Sequence, residues 1–132
     1  MNSEANNRIN DEQNKLIRLH QGELYVMELI WANGQLSAKE IAYVINEYIG
    51  WKKNTTYTVI KRLIEKNALK RIEPGFICVA NITKNQVQQI ETDELIKQLY
   101  DGRLQNFLVD YLAKQKLSDD DIIVLKKIIG DK

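Results

Sequence analysis

The sequence has very few of the residues that build covalent or metal-bound frameworks. Its 132 residues include one cysteine and one histidine. A single cysteine excludes an intrachain disulfide, and one cysteine with one histidine does not supply the ligands of a typical zinc or copper site. We therefore expect no metal site and a fold without covalent cross-links.

Long apolar runs and catalytic motifs are also missing. No stretch is apolar over the length needed to span a bilayer, and the Asn-rich start lacks the apolar segment of a signal peptide. These features predict a cytoplasmic protein with no direct membrane binding. We find no metal triad, nucleophile–base pair or glycine-rich phosphate loop, so the sequence predicts neither an enzyme nor a cofactor.

Charge is unevenly distributed along the chain, although the net charge is only +1. Residues 51–90 hold eight basic and two acidic residues, which gives this block a net charge of +6. The flanking residues 1–50 and 91–132 carry −3 and −2. A basic block between mildly acidic ones is typical of a surface that binds nucleic acid.

One stretch inside this basic block, residues 51–71, has the pattern of a DNA-reading helix. Four residues at i, i+3, i+4 and i+7 predict a stripe that faces the core: Thr56, Val59, Ile60 and Leu63. The outward side chains are polar, aromatic or cationic and can reach bases or phosphates. They form two stripes, Thr55, Thr58 and Arg62 in one and Asn54, Tyr57 and Lys61 in the other.

The start of this helix is unfavourable in isolation. We predict Asn54 as the N-cap, yet Lys53 precedes it at the positive end of the helix dipole. A DNA phosphate bound at the helix start would explain the cation there. Lys53, together with Arg71 in the following strand, therefore joins the predicted DNA-binding residues. The pattern is also compatible with an ordinary basic surface helix.

The neighbouring elements predict a winged helix-turn-helix. Two helices precede the basic one, over about residues 20–33 and from the Ser37–Glu40 capping box to about Gly50. Their predicted core residues are Leu24, Met27, Ile30 and Trp31, then Ile41, Val44, Ile45 and Tyr48. Gln35-Leu36 predicts a very short strand. Residues 69–80 predict two strands around a Pro-Gly turn, and such a hairpin after a recognition helix is a wing.

Cys78 lies in the second strand of this hairpin. We interpret it as a small buried hydrophobic residue, and a redox sensor is the less favoured alternative.

Residues 83–132 predict three short helices with more apolar surface than they can bury. The first begins at the Thr83–Gln86 capping box and ends at Asp101-Gly102, and Ser118 caps the last. About forty residues cannot form a stable core alone, so we expect a second copy of the chain to cover this surface. The predicted dimerisation residues are Leu95, Leu99, Leu104, Phe107, Leu108, Tyr111, Ile122, Leu125 and Ile129. Packing against the winged helix in a monomer is the alternative.

The predicted fold is therefore mainly α with a small β-wing. It comprises a polar N-terminal tail (residues 1–18), a winged-helix DNA-binding domain (19–82) and a helical dimerisation domain (83–132).

Three motifs resemble one family. They are WKKNTTYTVIKRLIEKNALKR (residues 51–71), Leu99-Tyr100-x-Gly102, and Gly22–Trp31, which is similar to A-E-W-x-V-M-x-x-x-W with leucine in place of the usual tryptophan. The family is that of the penicillinase and methicillin-resistance repressors (BlaI/MecI), to which the copper-responsive CopY repressors are related. CopY-type paired cysteines near the C-terminus are absent, which disfavours metal sensing.

The resemblance implies a homodimer that binds double-stranded operator DNA at palindromic TACA/TGTA half-sites and represses β-lactamase or related resistance genes. The family's DNA-reading positions fall on Asn54, Thr55, Tyr57, Thr58 and Arg62. Asn54 and Tyr57 replace the basic residues common there, so we expect the operator preference to differ in detail.

The resemblance also implies how repression ends, namely by a cut in the dimerisation domain linked to a membrane-bound sensor metalloprotease. The family's cut separates Asn from Phe. Counted from Leu99-Tyr100, this position corresponds to Asp110-Tyr111, whereas a literal Asn106-Phe107 occurs one helical turn earlier. We favour Asp110-Tyr111.

Two alternatives from other classes remain open. A repressor of another kind, released by a small molecule, would need an apolar pocket with convergent polar groups at the dimer interface. A protein–protein adaptor built on a winged helix would not need the basic block.

Overall fold

Six helices and three short strands occupy residues 18–132, the part of the chain that the computed structural model describes. The predicted N-terminal tail lies outside the described residues except for Arg18. The elements in chain order are α1 (Gln21–Asn33), β1 (Gln35–Ser37), α2 (Ala38–Tyr48), α3 (Lys53–Glu65), β2 (Leu69–Ile72), β3 (Ile77–Ala80), α4 (Lys84–Tyr100), α5 (Leu104–Ala113) and α6 (Asp119–Gly130). The predicted fold class, mainly α with a small wing, is confirmed.

The chain divides into two compact units, Met1–Thr92 and Asp93–Lys132. In the first unit α1, α2 and α3 pack around a three-stranded antiparallel sheet of order β1-β3-β2. Strands β2 and β3 form the wing hairpin, and β1 pairs with the other edge of β3. Val87 of α4 is buried in the core of this unit, so that core extends beyond residue 82.

Helical periodicity determines which face of α3 is buried. Thr56, Val59, Ile60 and Leu63 are all buried, as the spacing predicts. They pack with Met27 of α1 and with further core residues from α2 and the sheet. Burying an aliphatic side chain of this size contributes about 1.5–3 kcal/mol to stability. The stripe therefore holds α3 in one rotational setting about its own axis.

The predicted start of α3 is wrong by two residues. Lys52, in extended backbone conformation and without a side-chain cap, precedes the helix, and Asn54 lies in the first turn. Tertiary contacts fix this start. The Asn46 side chain donates a hydrogen bond of 3.0 Å to the Trp51 carbonyl. The Trp51 ring packs on Gly22, where an added Cβ would lie 3.1 Å from the ring.

The predicted burial of Tyr48 is also wrong, since its side chain is 85% exposed. Helix α2 ends at this residue, and Gly50, with φ of 86°, turns the chain towards α3. The side chain therefore stands at the rim of the domain instead of in the core.

A buried ion pair that the sequence does not reveal connects α1 to α3. Glu23 is only 3% exposed. Its carboxylate accepts hydrogen bonds from Lys66 Nζ at 2.6 Å and from the His20 backbone N–H at 2.8 Å. Lys66 Nζ also donates to the Arg18 carbonyl at 3.1 Å. The pair thus ties the start of α1 to the end of α3.

The second unit contains the end of α4 with α5 and α6. Asp101 and Gly102, both with positive φ, end α4. Ser118 caps α6, as predicted, and forms a capping box with Asp121. Three aromatic rings form a cluster. The centre of the Phe107 ring lies 5.3 Å from that of Tyr100 and 5.7 Å from that of Tyr111. No residue of α5 or α6 is buried.

Within residues 18–132, none of the helices combines the length and apolar character needed to cross a lipid bilayer.

Replacing Lys66 by methionine is expected to lower the free energy of unfolding by roughly 3 kcal/mol, because it leaves the buried Glu23 carboxylate without its partner. Lys84→Met is the matched control. Lys84 pairs with Glu28 at 3.1 Å, but both side chains are about half exposed, so we expect a loss below about 1 kcal/mol. Urea denaturation measures both changes. Equal losses for the two variants would contradict a structural role for the buried pair.

Candidate nucleic-acid interface

The first turn of α3 is suited to binding an anion. It contains no acidic residue. The Lys52 carbonyl accepts the first helical hydrogen bonds, from the N–H groups of Thr55 and Thr56. The preceding N–H groups, those of Lys53 and Asn54, have no acceptor among the described residues. A helix start with free N–H groups and a nearby cation is a favourable site for a phosphate.

The outward face of α3 carries the predicted reading residues. Asn54, Thr55, Lys61 and Arg62 are exposed, and the described part of the chain offers their side chains no hydrogen-bond partner. The Thr58 hydroxyl donates to the Asn54 carbonyl at 2.9 Å, so its donor is already used. The other side chains remain available to a ligand.

Tyr57 differs from these residues because it is half-buried and packs within the protein. Lys53 Nζ lies 5.6 Å from the centre of its ring, and the ring makes an edge-on contact with Phe76 at 5.9 Å. Phe76 belongs to the wing turn. Tyr57 therefore connects the start of α3 to the wing.

Arg71 of β2 is held on two sides. Its guanidinium carbon lies 3.6 Å from the centre of the Phe76 ring, and its Nε–H donates to the Glu73 carboxylate. Glu73 also accepts a hydrogen bond of 3.1 Å from the Phe76 backbone N–H. The Phe76 N–H and then Arg71 hold the pKa of Glu73 below its usual range. Glu73 is thus ionised at neutral pH.

The wing turn that carries these residues has an unusual backbone. Gly75 has φ of 94° and Phe76 has φ of 49°, in the left-handed region that favours glycine. For a bulky residue this conformation costs on the order of 1–3 kcal/mol and persists only where the surroundings enforce it. The contacts of Phe76 with Tyr57, Arg71 and Glu73 hold it in this conformation.

A groove of about 550 Å³ lies between α3 and the wing. Its lining combines predicted DNA-binding residues with two apolar side chains: Asn54, Tyr57, Thr58, Lys61, Ile64, Arg71 and Phe76. Five of the predicted residues therefore share one groove. The other three lie outside its lining. Lys53 is at the start of α3, and Thr55 and Arg62 are on the neighbouring stripe of the helix. Sequence reasoning missed Glu73 and Phe76, which stand in the predicted wing turn close to an arginine.

A second groove, of about 250 Å³, lies between α1 and α2. It is lined almost entirely by apolar and aromatic side chains, and its one charged residue, Glu28, pairs with Lys84. Ligand pockets usually measure about 300–1,000 Å³ and contain several convergent polar groups. The size and lining of this groove therefore do not indicate a small-molecule site.

Residues 18–132 contain no cluster of three or more His, Cys, Asp or Glu residues able to hold a metal ion.

Cys78 lies in the central strand of the sheet and is fully buried. It pairs in register with Leu36 on one side and Arg71 on the other. Burial raises the pKa of its thiol to about 11. Because the thiolate is the reactive species, this environment favours the structural interpretation over a redox sensor.

Comparison with known proteins gives similarities along nearly the whole chain. The profile of the family described as penicillinase repressor matches residues 19–131. The chain is 26% identical to the penicillinase repressor of Bacillus licheniformis over 119 residues, which are 89% of this chain and 93% of that protein. Identity to the penicillinase repressor of Staphylococcus aureus is 27% over 120 residues, or 89% and 95% of the two chains. The methicillin resistance regulatory protein MecI of Mammaliicoccus sciuri is 26% identical over 121 residues, covering 90% and 98%.

Cys78 is expected to resist thiol reagents in the folded protein, because it is both buried and protonated. Labelling by a maleimide at pH 8 should require unfolding and should become fast in denaturant. The raised pKa also adds stability that is complete below about pH 9, the value for an ordinary thiol, and is lost as the pH rises towards about 11. Rapid labelling of the native protein would reopen the redox alternative.

Proposed function

The chain belongs to the penicillinase repressor family, and we propose that it is a homodimeric transcriptional repressor that binds a palindromic operator with TACA/TGTA half-sites. The genes that it controls would be β-lactamase or related resistance genes. The observation that carries this proposal is the groove between α3 and the wing, where five residues predicted to bind DNA line one surface.

The chemistry of this surface divides between phosphate binding and base reading. Lys53 and the free N–H groups at the start of α3 suit one phosphate, and Lys61 and Arg71 across the groove suit another. Arg62 and Asn54 are exposed on the outward face of the helix. Their side chains are of the kinds that recognise guanine and adenine, respectively, in the major groove.

Dimerisation is supported by the apolar surface of the second unit. Among the predicted dimerisation residues, Leu99 is 72% and Ile129 66% exposed, and Leu95, Leu104, Leu108 and Tyr111 are also exposed. Phe107, Ile122 and Leu125 are only partly buried. An apolar surface of this extent on a soluble unit usually marks an interaction site. A second copy of the chain would cover it and place two reading helices on one palindrome.

Release of repression is proposed to follow a cut in α5, linked to a membrane-bound sensor metalloprotease as in the family. Asp110 and Tyr111, the pair favoured by register, are both exposed. Asp110 accepts a hydrogen bond of 2.9 Å from the Tyr100 hydroxyl. Since the pair lies within a helix, cleavage requires local opening. The cut would weaken the dimer without altering α3, and operator occupancy would fall through lost avidity.

Arg62→Ala is expected to weaken operator binding by roughly 1–3 kcal/mol per half-site while leaving the melting temperature unchanged, because the side chain points away from the core. A footprint on the promoter region next to the gene identifies the operator, and fluorescence anisotropy then measures affinity. Lys84→Ala, which removes an exposed cation from α4, serves as the control. Wild-type affinity in the Arg62 variant would remove this residue from the interface.

The full chain is expected to sediment as a dimer at micromolar concentration. Leu99→Lys should shift it towards monomer, because a charge would have to be buried in the apolar interface. Tyr48→Lys places the same charge on an exposed aromatic position in the other unit and should leave the dimer intact. A wild-type chain that sediments as a monomer would favour the alternative in which the helices pack on their own winged helix.

Intact mass spectrometry of the repressor from β-lactam-treated cells tests the proposed cut. We expect a fragment that ends at Asp110. A fragment that ends at Asn106 would instead assign cleavage to the literal Asn-Phe pair. Full-length protein alone, on a promoter that is already derepressed, would show that induction does not use proteolysis.

A further inference from the structure

We propose that Glu73 is a positioning residue, which holds Arg71 so that its two terminal amino groups contact one DNA phosphate in the groove between α3 and the wing. The inference rests on the proposed function and adds to it a residue that does not itself touch DNA. A carboxylate beside a DNA-binding surface repels phosphates, so its presence needs a compensating role. Orientation of Arg71 is such a role.

The two carboxylate oxygens of Glu73 accept hydrogen bonds from different donors in the wing. One carboxylate oxygen accepts from Arg71 Nε, and the other accepts from the Phe76 backbone N–H at 3.1 Å. The carboxylate therefore fixes both the arginine and the turn. Since only the Nε–H of Arg71 is engaged, the two terminal amino groups remain available as a planar fork, which matches the oxygens of a phosphate.

The aromatic rings restrict the position of this fork. The guanidinium carbon of Arg71 lies 3.6 Å from the centre of the Phe76 ring, and Phe76 contacts Tyr57 of α3 at 5.9 Å. Phe76 adopts its left-handed φ of 49° in making these contacts. These contacts position Arg71 relative to α3 as well as to the wing. Ordering the side chain before binding reduces the entropy lost when DNA binds.

A phosphodiester in the groove is the ligand that these residues favour. Lys61 lines the groove together with Arg71, so cations of both α3 and the wing border it. Tyr57, Ile64 and Phe76 give it an apolar part that suits a deoxyribose. One strand of the duplex, running between the helix and the wing, would satisfy both features.

Two substitutions of Glu73 separate orientation from charge. Glu73→Gln and Glu73→Ala both remove one negative charge, but glutamine keeps one oxygen. That oxygen can accept a hydrogen bond from Arg71, at the cost of the bond from the Phe76 N–H. The probes are a palindromic duplex with TACA/TGTA half-sites, a scrambled duplex of equal composition, and palindromes with a neutral methylphosphonate at one linkage each. Arg71→Ala identifies the linkage that Arg71 contacts, because there the neutral linkage should no longer weaken binding.

At that linkage we expect the methylphosphonate to weaken binding by the wild type and by Glu73→Gln about tenfold, the effect of losing one charged hydrogen-bonding contact. For Glu73→Ala the effect should fall below about threefold, because a freed arginine distributes its contacts over neighbouring phosphates. In the free protein, the NMR signal of Arg71 Nε–H should move in Glu73→Ala and remain closer to its wild-type position in Glu73→Gln. Melting temperatures check that both variants are folded.

Identical methylphosphonate profiles for Glu73→Ala and Glu73→Gln would overturn the inference, since charge alone would then explain the residue. So would a profile of Arg71→Ala that matches the wild type at every linkage. A wild-type protein that binds the palindrome no better than the scrambled duplex would contradict the proposed function instead. The two failures are therefore distinguishable.

Discussion

Burial of one face of α3 is the constraint on which the rest of the DNA-binding unit depends. Each residue of a helix is rotated by about 100° from the one before it, so the side chains in the core determine which side chains face outward. With Val59, Ile60 and Leu63 in the core, Thr58 and Lys61 lie on the opposite face. Thr55 and Arg62 are exposed on its flank. A shift of this stripe by one residue would rotate the exposed polar face by about 100°.

The buried stripe sets the rotation of α3, and contacts at its two ends set its position. The Trp51 ring on Gly22 and the Asn46 hydrogen bond fix the entry of the chain. The Glu23–Lys66 pair ties the other end to α1. Because Glu23 is buried, loss of Lys66 would leave an uncompensated charge inside the protein. The helix is therefore held at both ends by contacts that leave its basic surface free.

In the proposed function, the two compact units have separate roles, one in DNA recognition and the other in dimer assembly. The basic groove belongs to the first unit, whereas the exposed leucine and isoleucine side chains of α5 and α6 belong to the second. Under this proposal, a change in dimer affinity leaves the groove between α3 and the wing intact. Because two linked half-sites bind far more tightly than one, a loss of dimer affinity is sufficient to empty an operator. The proposed release by proteolysis needs only this coupling.

Much of the fold is encoded locally and could be predicted from the sequence. The apolar stripe of α3, the Thr83 and Ser118 capping boxes, and the hairpin around Pro74-Gly75 each depend on residues within a few positions of one another. Each of these signals can be recognised from a short segment of the sequence alone. The family resemblance followed from the same local motifs, and the match over residues 19–131 confirms it.

Only the tertiary structure decided the features that join distant residues. In the sequence, Glu23 looks like an ordinary residue near the start of a helix. Its burial depends on its partner Lys66, which lies 43 positions later. Asn54 is a good N-cap by type, yet packing of Trp51 on α1 starts the helix before it. The left-handed Phe76 and its place between Tyr57 and Arg71 follow from packing of the wing against α3. Local propensities amount to about 1 kcal/mol or less per residue, so contacts of larger free energy between distant residues override them.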